Sequence, residues 1–345
     1  MNKMSDLHID ADICKAWTLP SRFYTDERYF EISKAKIFAK TWQFLCRSEE
    51  FESLKPATLL PGFLDDPLLL SKTNDELYCL SNVCTHRGKI LVDEPCTANL
   101  IRCGYHGRRF SLDGKFLSMP EFDDVEDFPS ATDDLHHYSL ADRGGFLFVS
   151  CEPVADFDSF VGEARKSIFK IKANELTLTN TKEYEVAAHW ALYCENYLEG
   201  FHIPYVHKGL NEIVDYGTYT TKTYRYSSVQ TGYDENQNIA GQYLFIFPNT
   251  MLNFYPWGIS INIVEPISPA RSRIRYLTYV SDGSKFGTGA GADLHRVELE
   301  DEAVVESVQK GIRSRFYDRG RYSPTREQGT HHFHRLIAEF MNDVV

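Results

Sequence analysis

The sequence predicts an α+β protein: a small all-β module in the first half, then a larger domain with an antiparallel sheet and helices. Three observations carry this. Residues from about 50 to 152 break into short β-rich runs punctuated by turn residues. A second, longer series of strand-like runs occupies residues 181–281. Helical spacing frames both, at residues 23–49 and from about 293 onward. The expected organisation is an N-terminal helical segment over 1–45, packing on the larger domain, a β module over 46–155, and a main domain over 156–345.

Each element has its own signal. In residues 23–49, Phe30, Ile37, Phe38 and Trp42 form an apolar stripe. The β module reads as ATLLPGFLDDPLLLSK, ELYCLSNV, RRFSLDGKFLS and GGFLFVS, with Asp113-Gly114 as a hairpin turn. The acidic stretch at 121–134 reads as an exposed loop, and SFVGEARKSIFKIKANEL leads into the main domain. There, strand-like TKEYEVAAHWAL precedes helix-like YCENYLEGF, and further strands follow to about residue 281.

Composition narrows the function. With 345 residues, 43% hydrophobic and 25% charged, the chain has the texture of an ordinary soluble protein with one to three domains. A formal charge of -12 leaves no basic excess to neutralise nucleic-acid phosphates. No apolar run approaches the ~20 residues of a membrane span, and MNKMSDLHIDADICKAW lacks the apolar core of a signal peptide. The expectation is a cytoplasmic protein whose eight cysteines are thiols or metal ligands.

The stretch from Cys84 to Phe110 carries the chemistry. Cys84 and His86 form one pair, Cys103 and His106 another, with 16 residues between the pairs. Two thiolates and two imidazoles suit tetrahedral zinc. Zinc fingers, however, usually take both cysteines from one knuckle and both histidines from a helix. Here each loop offers one of each, as a 2Fe–2S cluster requires when one iron takes the thiolates and the other the imidazoles. Cys14, Cys46, Cys79, Cys96, Cys151 and Cys194 have no such spacing and read as core thiols.

A second site lies about a hundred residues on. His202 and His207 are five apart, which a regular helix would not place on one face; Pro204 between them and Gly200 before them break the helix. Two histidines and a carboxylate make the facial triad of non-haem iron oxygenases. The carboxylate is sought in the helical run ADLHRVELEDEAVVESVQKGIRSRF, where Val297, Val304, Val305, Val308 and Ile312 mark the buried face. Asp301 lies in register with them, and Glu298 is the alternative.

These residues together resemble the catalytic α subunit of Rieske non-haem iron ring-hydroxylating oxygenases, across nearly the whole chain. The resemblance rests on Cys84-Thr-His86-Arg-Gly, Cys103-Gly-Tyr105-His106-Gly, the run Glu195-Asn196-Tyr197-Leu198-Glu199-Gly200-Phe201-His202, then His207, and later Glu300-Asp301 with Val308-Gln309-Lys310-Gly311. It implies a helix-grip (START-like) catalytic domain, a Rieske cluster on Cys84, His86, Cys103 and His106, and iron on His202, His207 and Asp301. It also implies catalytic-site places for Asn196 and Glu199. In the family a carboxylate three residues before the first histidine bridges to a cluster histidine of the neighbouring subunit, hence a homotrimer or a multiple of it. Most members have aspartate there; Glu199 is similar to the carnitine and choline monooxygenase branch. Tyr105 sits where a tyrosine often bonds a cysteine sulfur, and Arg108 replaces a common tryptophan.

The implied activity is that of a terminal oxygenase using O2 and electrons from a separate reductase or ferredoxin, which would hold the NAD(P)H and flavin sites. The expected substrate is a quaternary amine such as carnitine, choline or betaine, held by cation–π contacts with several of Tyr193, Tyr197, Phe201, Tyr205, Tyr243, Phe245, Phe247, Phe254, Tyr255 and Trp257, while most of these rings read as core packing. Ring hydroxylation or demethylation of an aromatic compound is the alternative, and a non-catalytic electron carrier or iron–sulfur sensor a more distant one. From Cys84 to Phe116 six basic residues outnumber three acidic ones, and Arg108 with Arg109 is the expected docking patch for an acidic electron donor. GTGAGAD at 287–293 mimics a dinucleotide fingerprint but lacks a βαβ unit, and the histidines of HHFHR (331–335) read as structural.

Overall fold

The computed structural model describes residues 6–73, 76–166, 175–211, 217–286 and 294–344. The 287–293 glycine run and part of the 159–176 lead-in lie outside them. The chain forms two compact units, Trp42–Pro153 and Met1–Thr41 with Val154–Val345. Among the described residues no helix is long and apolar enough to cross a membrane.

The smaller unit is all β. Its strands are β1 (Gln43–Arg47), β2 (Leu54–Leu59), β3 (Asp66–Lys72), β4 (Leu77–Ser81), β5 (Ile101–Arg102), β6 (Arg109–Phe110), β7 (Phe116–Ser118), β8 (His137–Arg143) and β9 (Phe146–Ser150). Six form a sheet in the order β1-β9-β8-β4-β3-β2, and β5-β6-β7 form a second, small one. The expected turn is present: Gly114 has φ +84°, which a residue with a side chain rarely adopts, and its N–H donates to the Ser111 carbonyl at 3.0 Å. Cys84 and Cys103 are buried among Leu54, Leu69, Leu80, Ile101 and Phe110, so the cluster loops rise from the apolar core.

The larger unit opens with α1 (Ser21–Thr25) and α2 (Glu27–Lys36), and α3 (Phe157–Val161) follows the smaller unit. A seven-stranded antiparallel sheet comes next: β10 (Thr177–Val186), β11 (Thr220–Thr223), β12 (Ser227–Tyr233), β13 (Ile239–Ile246), β14 (Thr250–Tyr255), β15 (Gly258–Ser268) and β16 (Arg271–Val280). Its order is β10-β16-β15-β14-β13-β12-β11. The helices α4 (Trp190–Tyr197), α5 (Ile203–Val206), α6 (Lys208–Asn211), α7 (Leu294–Gly311) and α8 (Gln328–Met341) complete the unit, with α4 packed on β15, α7 and α8. In α8 the spacing of Phe333, Leu336, Ile337 and Phe340 gives one apolar face. Phe333 meets Trp190, Phe245 and Phe247 with ring centres 5.6–5.8 Å apart.

Two expectations about helices need correction. The first helical run stops at Lys36, and Trp42 leads into β1, because Gln43-Phe44-Leu45-Cys46 prefers a strand. In α7, Val308 is 41% exposed while Gln309 is buried, accepting a hydrogen bond from the His189 N–H at 2.7 Å. A backbone amide near the start of α4 needs an acceptor there, and an amide side chain supplies what valine lacks.

Candidate metal centres and the active-site pocket

The two cysteine–histidine loops are variants of one turn. In each, the cysteine N–H donates to the carbonyl five residues on (Lys89, Arg108) at 2.8 Å. A glycine four residues on donates back to the cysteine carbonyl at 3.0 Å (Gly88) and 3.1 Å (Gly107). Both glycines have positive φ, +72° and +78°. The loops therefore present their cysteines alike, while the histidine takes the third place in one and the fourth in the other.

The donors converge. The His86 and His106 rings are 4.9 Å apart, and the Cys84 and Cys103 thiols touch. His106 Nδ1 is buried without a hydrogen-bond partner among the described residues, which suits a ligand atom. Burial opposes ionisation of Cys103, yet the Tyr105 amide, the Cys84 thiol and the His106 amide hold its pKa below the ordinary thiol value. The donor set fits a 2Fe–2S cluster.

Three expectations for this loop change. The Tyr105 ring is exposed and lies on His106, 3.7 Å between centres; its backbone N–H, not its hydroxyl, reaches Cys103 Sγ at 3.5 Å. Arg108 is 2% exposed, paired with Asp133, and its guanidinium lies 4.8 Å from the Phe116 ring and 5.4 Å from Phe128. It fills the place of an aromatic core residue by cation–π contact and cannot meet a partner; of the expected pair only Arg109 is exposed. Cys14 and Cys96 are exposed, whereas Cys46, Cys79 and Cys194 are core thiols as expected.

In the larger unit the chain bends where the second site needs it. His189 is the N-cap of α4, its ring nitrogen accepting from the Ala191 N–H at 3.2 Å, and complete burial lowers its pKa to about 3. The helix ends at Tyr197 with Leu198 as its C-cap, four residues before the first site histidine. Pro204 is therefore not the breaker; it sits in the first turn of α5, where a missing N–H costs nothing. His202 and His207 cap the two ends of α5, and their rings come within 5.0 Å. Gly200 allows a close approach, since a Cβ there would lie 2.9 Å from the Tyr219 ring.

Asp301 closes the site from α7. Its carboxylate lies 3.5 Å from His202 Nε2 and 2.9 Å from His207 Nε2. The three side chains offer ligand atoms within 4.8 Å of one another, a donor set that fits non-haem iron. Each imidazole is held from behind by a carboxylate: Glu199 Oε1 lies 2.7 Å from His202 Nδ1, and Glu300 Oε2 lies 2.8 Å from His207 Nδ1. That fixes the tautomer and turns both Nε2 atoms to the same point. Burial opposes protonation of His207, but Asp301 and Glu300 outweigh it and hold its pKa above the ordinary value.

Beside this triad is a cavity of about 110 Å³. Tyr193, Tyr197, Tyr219, Tyr243 and Tyr255 line it with Asn196, Glu199 and Glu298. Burial raises the Tyr243 pKa to about 12 and holds the others protonated too. Of the ten aromatic residues, Phe245, Phe247, Phe254 and Trp257 take the core role expected for most of them, while Phe201 and Tyr205 are exposed, at 37% and 78%. The sequence spacing does not single out Tyr219; Glu300 has one signal, a carboxylate adjacent to Asp301. The final histidines are structural: His334 Nδ1 meets the Tyr322 hydroxyl at 2.6 Å, and His331 Nε2 meets the Asp10 carbonyl at 2.8 Å.

An all-β unit with paired cysteine–histidine loops and a sheet-and-helix unit with a convergent two-histidine, one-carboxylate site together have the arrangement of an iron-dependent oxygenase with an iron–sulfur domain. Known proteins agree. Residues 41–129 match the Rieske [2Fe-2S] domain, and residues 214–343 match the ring hydroxylating alpha subunit (catalytic domain). The carnitine monooxygenase oxygenase subunit of Escherichia coli (strain K12) is 30% identical over 95% of this chain and 95% of its own. The choline monooxygenase of Arabidopsis thaliana is 28% identical over 94% of this chain and 82% of its own. The quaternary ammonium Rieske monooxygenase CntA in complex with L-carnitine has a TM-score of 0.78 at 26% identity, covering 94% of this chain and 96% of its own. Naphthalene 1,2-dioxygenase, at 17% identity and a TM-score of 0.73 over 94% of this chain and 92% of its own, shares the fold.

The chain belongs to the Rieske non-haem iron oxygenases, among the ring-hydroxylating α subunits. Enzymes of this family carry a 2Fe–2S cluster and a mononuclear iron, and a separate reductase supplies the electrons.

Proposed function

We propose that this chain hydroxylates a small quaternary ammonium compound, with iron on His202, His207 and Asp301 and the cluster on Cys84, His86, Cys103 and His106. One observation carries the substrate reading: the cavity beside the triad is walled by five tyrosines, and no Lys or Arg stands among its described lining residues. Neutral phenol faces attract an onium group that water solvates weakly. The names of the carnitine and choline monooxygenase relatives support the same class.

When bound, the iron activates dioxygen and the cluster supplies single electrons. The protein's own work is positional. Glu199 and Glu300 keep the Nδ1 protons of His202 and His207, leaving both Nε2 atoms free to ligate. The tyrosines keep their protons, hold the cation by their faces and exclude water. The reaction consumes one O2, two electrons and two protons; one oxygen enters a substrate C–H bond and the other leaves as water. Asn196, on the cavity wall, is placed to contact substrate.

Glu199 has a second part in this reading, as the link between His202 and His106 of the partner subunit in a homotrimer. Its bond to His202 Nδ1 supports this, as does a CntA structure described in terms of inter-subunit electron transfer. The free cysteines suit a cytoplasmic setting.

The test bypasses the reductase. Chemically reduced, iron-replete protein is mixed with O2 and choline, carnitine, glycine betaine or aromatic acids, and products are read by mass spectrometry. Oxygenation of a quaternary amine is expected; turnover of aromatic acids alone overturns the substrate reading.

A further inference from the structure

Glu298 is left over once the triad is assigned. The helical spacing of α7 offered it as a ligand, but the convergent set is His202, His207 and Asp301. Glu298 instead lines the tyrosine cavity. No hydrogen bond or ion pair reaches its carboxylate among the described residues, unlike Glu199 and Glu300, whose carboxylates are committed to histidines. Burial raises its pKa to about 8; Lys182 works against this, and Glu302 and Asp301 add to it. Its charge is also felt at the hydroxyls of Tyr193, Tyr255 and Tyr276, which burial already keeps protonated.

An unpaired carboxylate in a half-buried, tyrosine-walled cavity is costly unless a cation meets it. A quaternary ammonium group suits the place. It cannot donate a hydrogen bond, so it needs no matched acceptor, and it is satisfied by aromatic faces plus one negative charge nearby. A negative charge at the other end of the same ligand finds no cationic side chain: no Lys or Arg stands among the described lining residues, Glu298 is itself acidic, and the remaining polar lining is amide, hydroxyl and groups already committed to the triad.

We infer that Glu298 is the counter-charge for the substrate's quaternary ammonium group, and that the pocket selects onium compounds whose other end is uncharged. This rests on the function proposed above and goes further, naming the determinant and favouring a choline-like over a carnitine- or betaine-like substrate.

Binding of three probes to iron-loaded, cluster-replete protein by titration calorimetry tests it. Choline, its neutral carbon isostere 3,3-dimethyl-1-butanol, and glycine betaine differ in charge far more than in size. The wild type should bind choline on the order of tenfold more tightly than either of the others. Glu298→Gln should erase most of the choline-over-isostere preference and leave the isostere's affinity within about threefold. Iron content and cluster absorbance confirm that the variant is intact. Should it lose either, the wild-type comparison still decides: choline and its isostere binding equally overturns the inference. Retention of the preference by an intact Glu298→Gln, or betaine binding as tightly as choline, overturns it too. In those cases the proposed function survives through choline binding; a wild type that binds neither onium compound removes that reading itself.

Discussion

Replacing Glu300 by glutamine isolates the support that the structure gives to His207, a proposed iron ligand. Glu300 Oε2 lies 2.8 Å from His207 Nδ1, and His207 itself is 1% exposed. The contact is a charge-assisted hydrogen bond with little solvent competition on the histidine side. Glutamine keeps the shape but loses the charge, and it can present its N–H₂ to the ring, which would turn the imidazole or switch its tautomer. Losing such a partner typically costs 10–100-fold in metal affinity, or about 1.4–2.8 kcal/mol. Arg296, 67% exposed, pairs with the other oxygen of Glu300 at 3.0 Å, so Arg296→Ala should cost less than about 0.5 kcal/mol. The assay is competition with a calibrated iron chelator, with cluster absorbance as internal control. Glu300→Gln should release mononuclear iron at a chelator concentration at least tenfold lower than wild type, and Arg296→Ala should not. Equal retention of iron by Glu300→Gln and wild type would refute the claim that this carboxylate fixes His207.

Further predictions concern the frame around the sites. Asp133→Ala strands the buried Arg108 charge and should cost the smaller unit about 3 kcal/mol, seen as earlier bleaching of the cluster in urea; Arg108→Met with Asp133→Ala should recover most of it. A Cβ on Gly329 would lie 2.2 Å from the Leu198 carbonyl oxygen, so Gly329→Ala should destabilise the larger unit by about 2 kcal/mol in urea. Gly209→Ala, with nothing within 4 Å, should stay within about 0.5 kcal/mol of wild type. His189 binds its proton at about pH 3 when folded, against 6.5 for the ordinary group, so between those values the unfolded chain holds more protons and stability rises with pH. His189→Asn, which keeps an N-cap acceptor, should flatten that rise by up to about 1.4 kcal/mol per pH unit, measured by urea titration at pH 5, 6 and 7.

The sequence was most legible where chemistry constrains spacing. The two cysteine–histidine loops, the histidine pair and Asp301 stand out in the sequence because a metal site would need particular atoms at one point, and the structure brings His202, His207 and Asp301 together. The strands of both units were readable as β-rich runs, those of the smaller unit through their turn residues as well. What escaped was decided by tertiary partners. Arg108 looks like a surface charge until Phe116, Phe128 and Asp133 close around it. Pro204 suggested a helix break, yet α4 had already ended at Tyr197 with Leu198 as its C-cap, and Gly329 of α8 comes against the Leu198 carbonyl. Val308 fits an apolar stripe, but the stripe turns to Gln309 because the His189 amide needs an acceptor. Tyr219 reaches the cavity from beyond the iron segment through the space left by Gly200, and nothing in the spacing near His202 points to it.

The central claim is that one chain holds two iron centres, with the mononuclear one beside a cage for an onium group. Electron paramagnetic resonance of reduced, nitric oxide-treated protein reports both centres in one sample, with and without choline. Wild type should show a reduced-cluster signal and an iron–nitrosyl signal, with choline altering the second and not the first. Asp301→Ala should keep the cluster signal and lose the nitrosyl one. An Asp301→Ala protein with an undiminished nitrosyl signal, or a wild-type nitrosyl signal indifferent to saturating choline, would contradict the central claim.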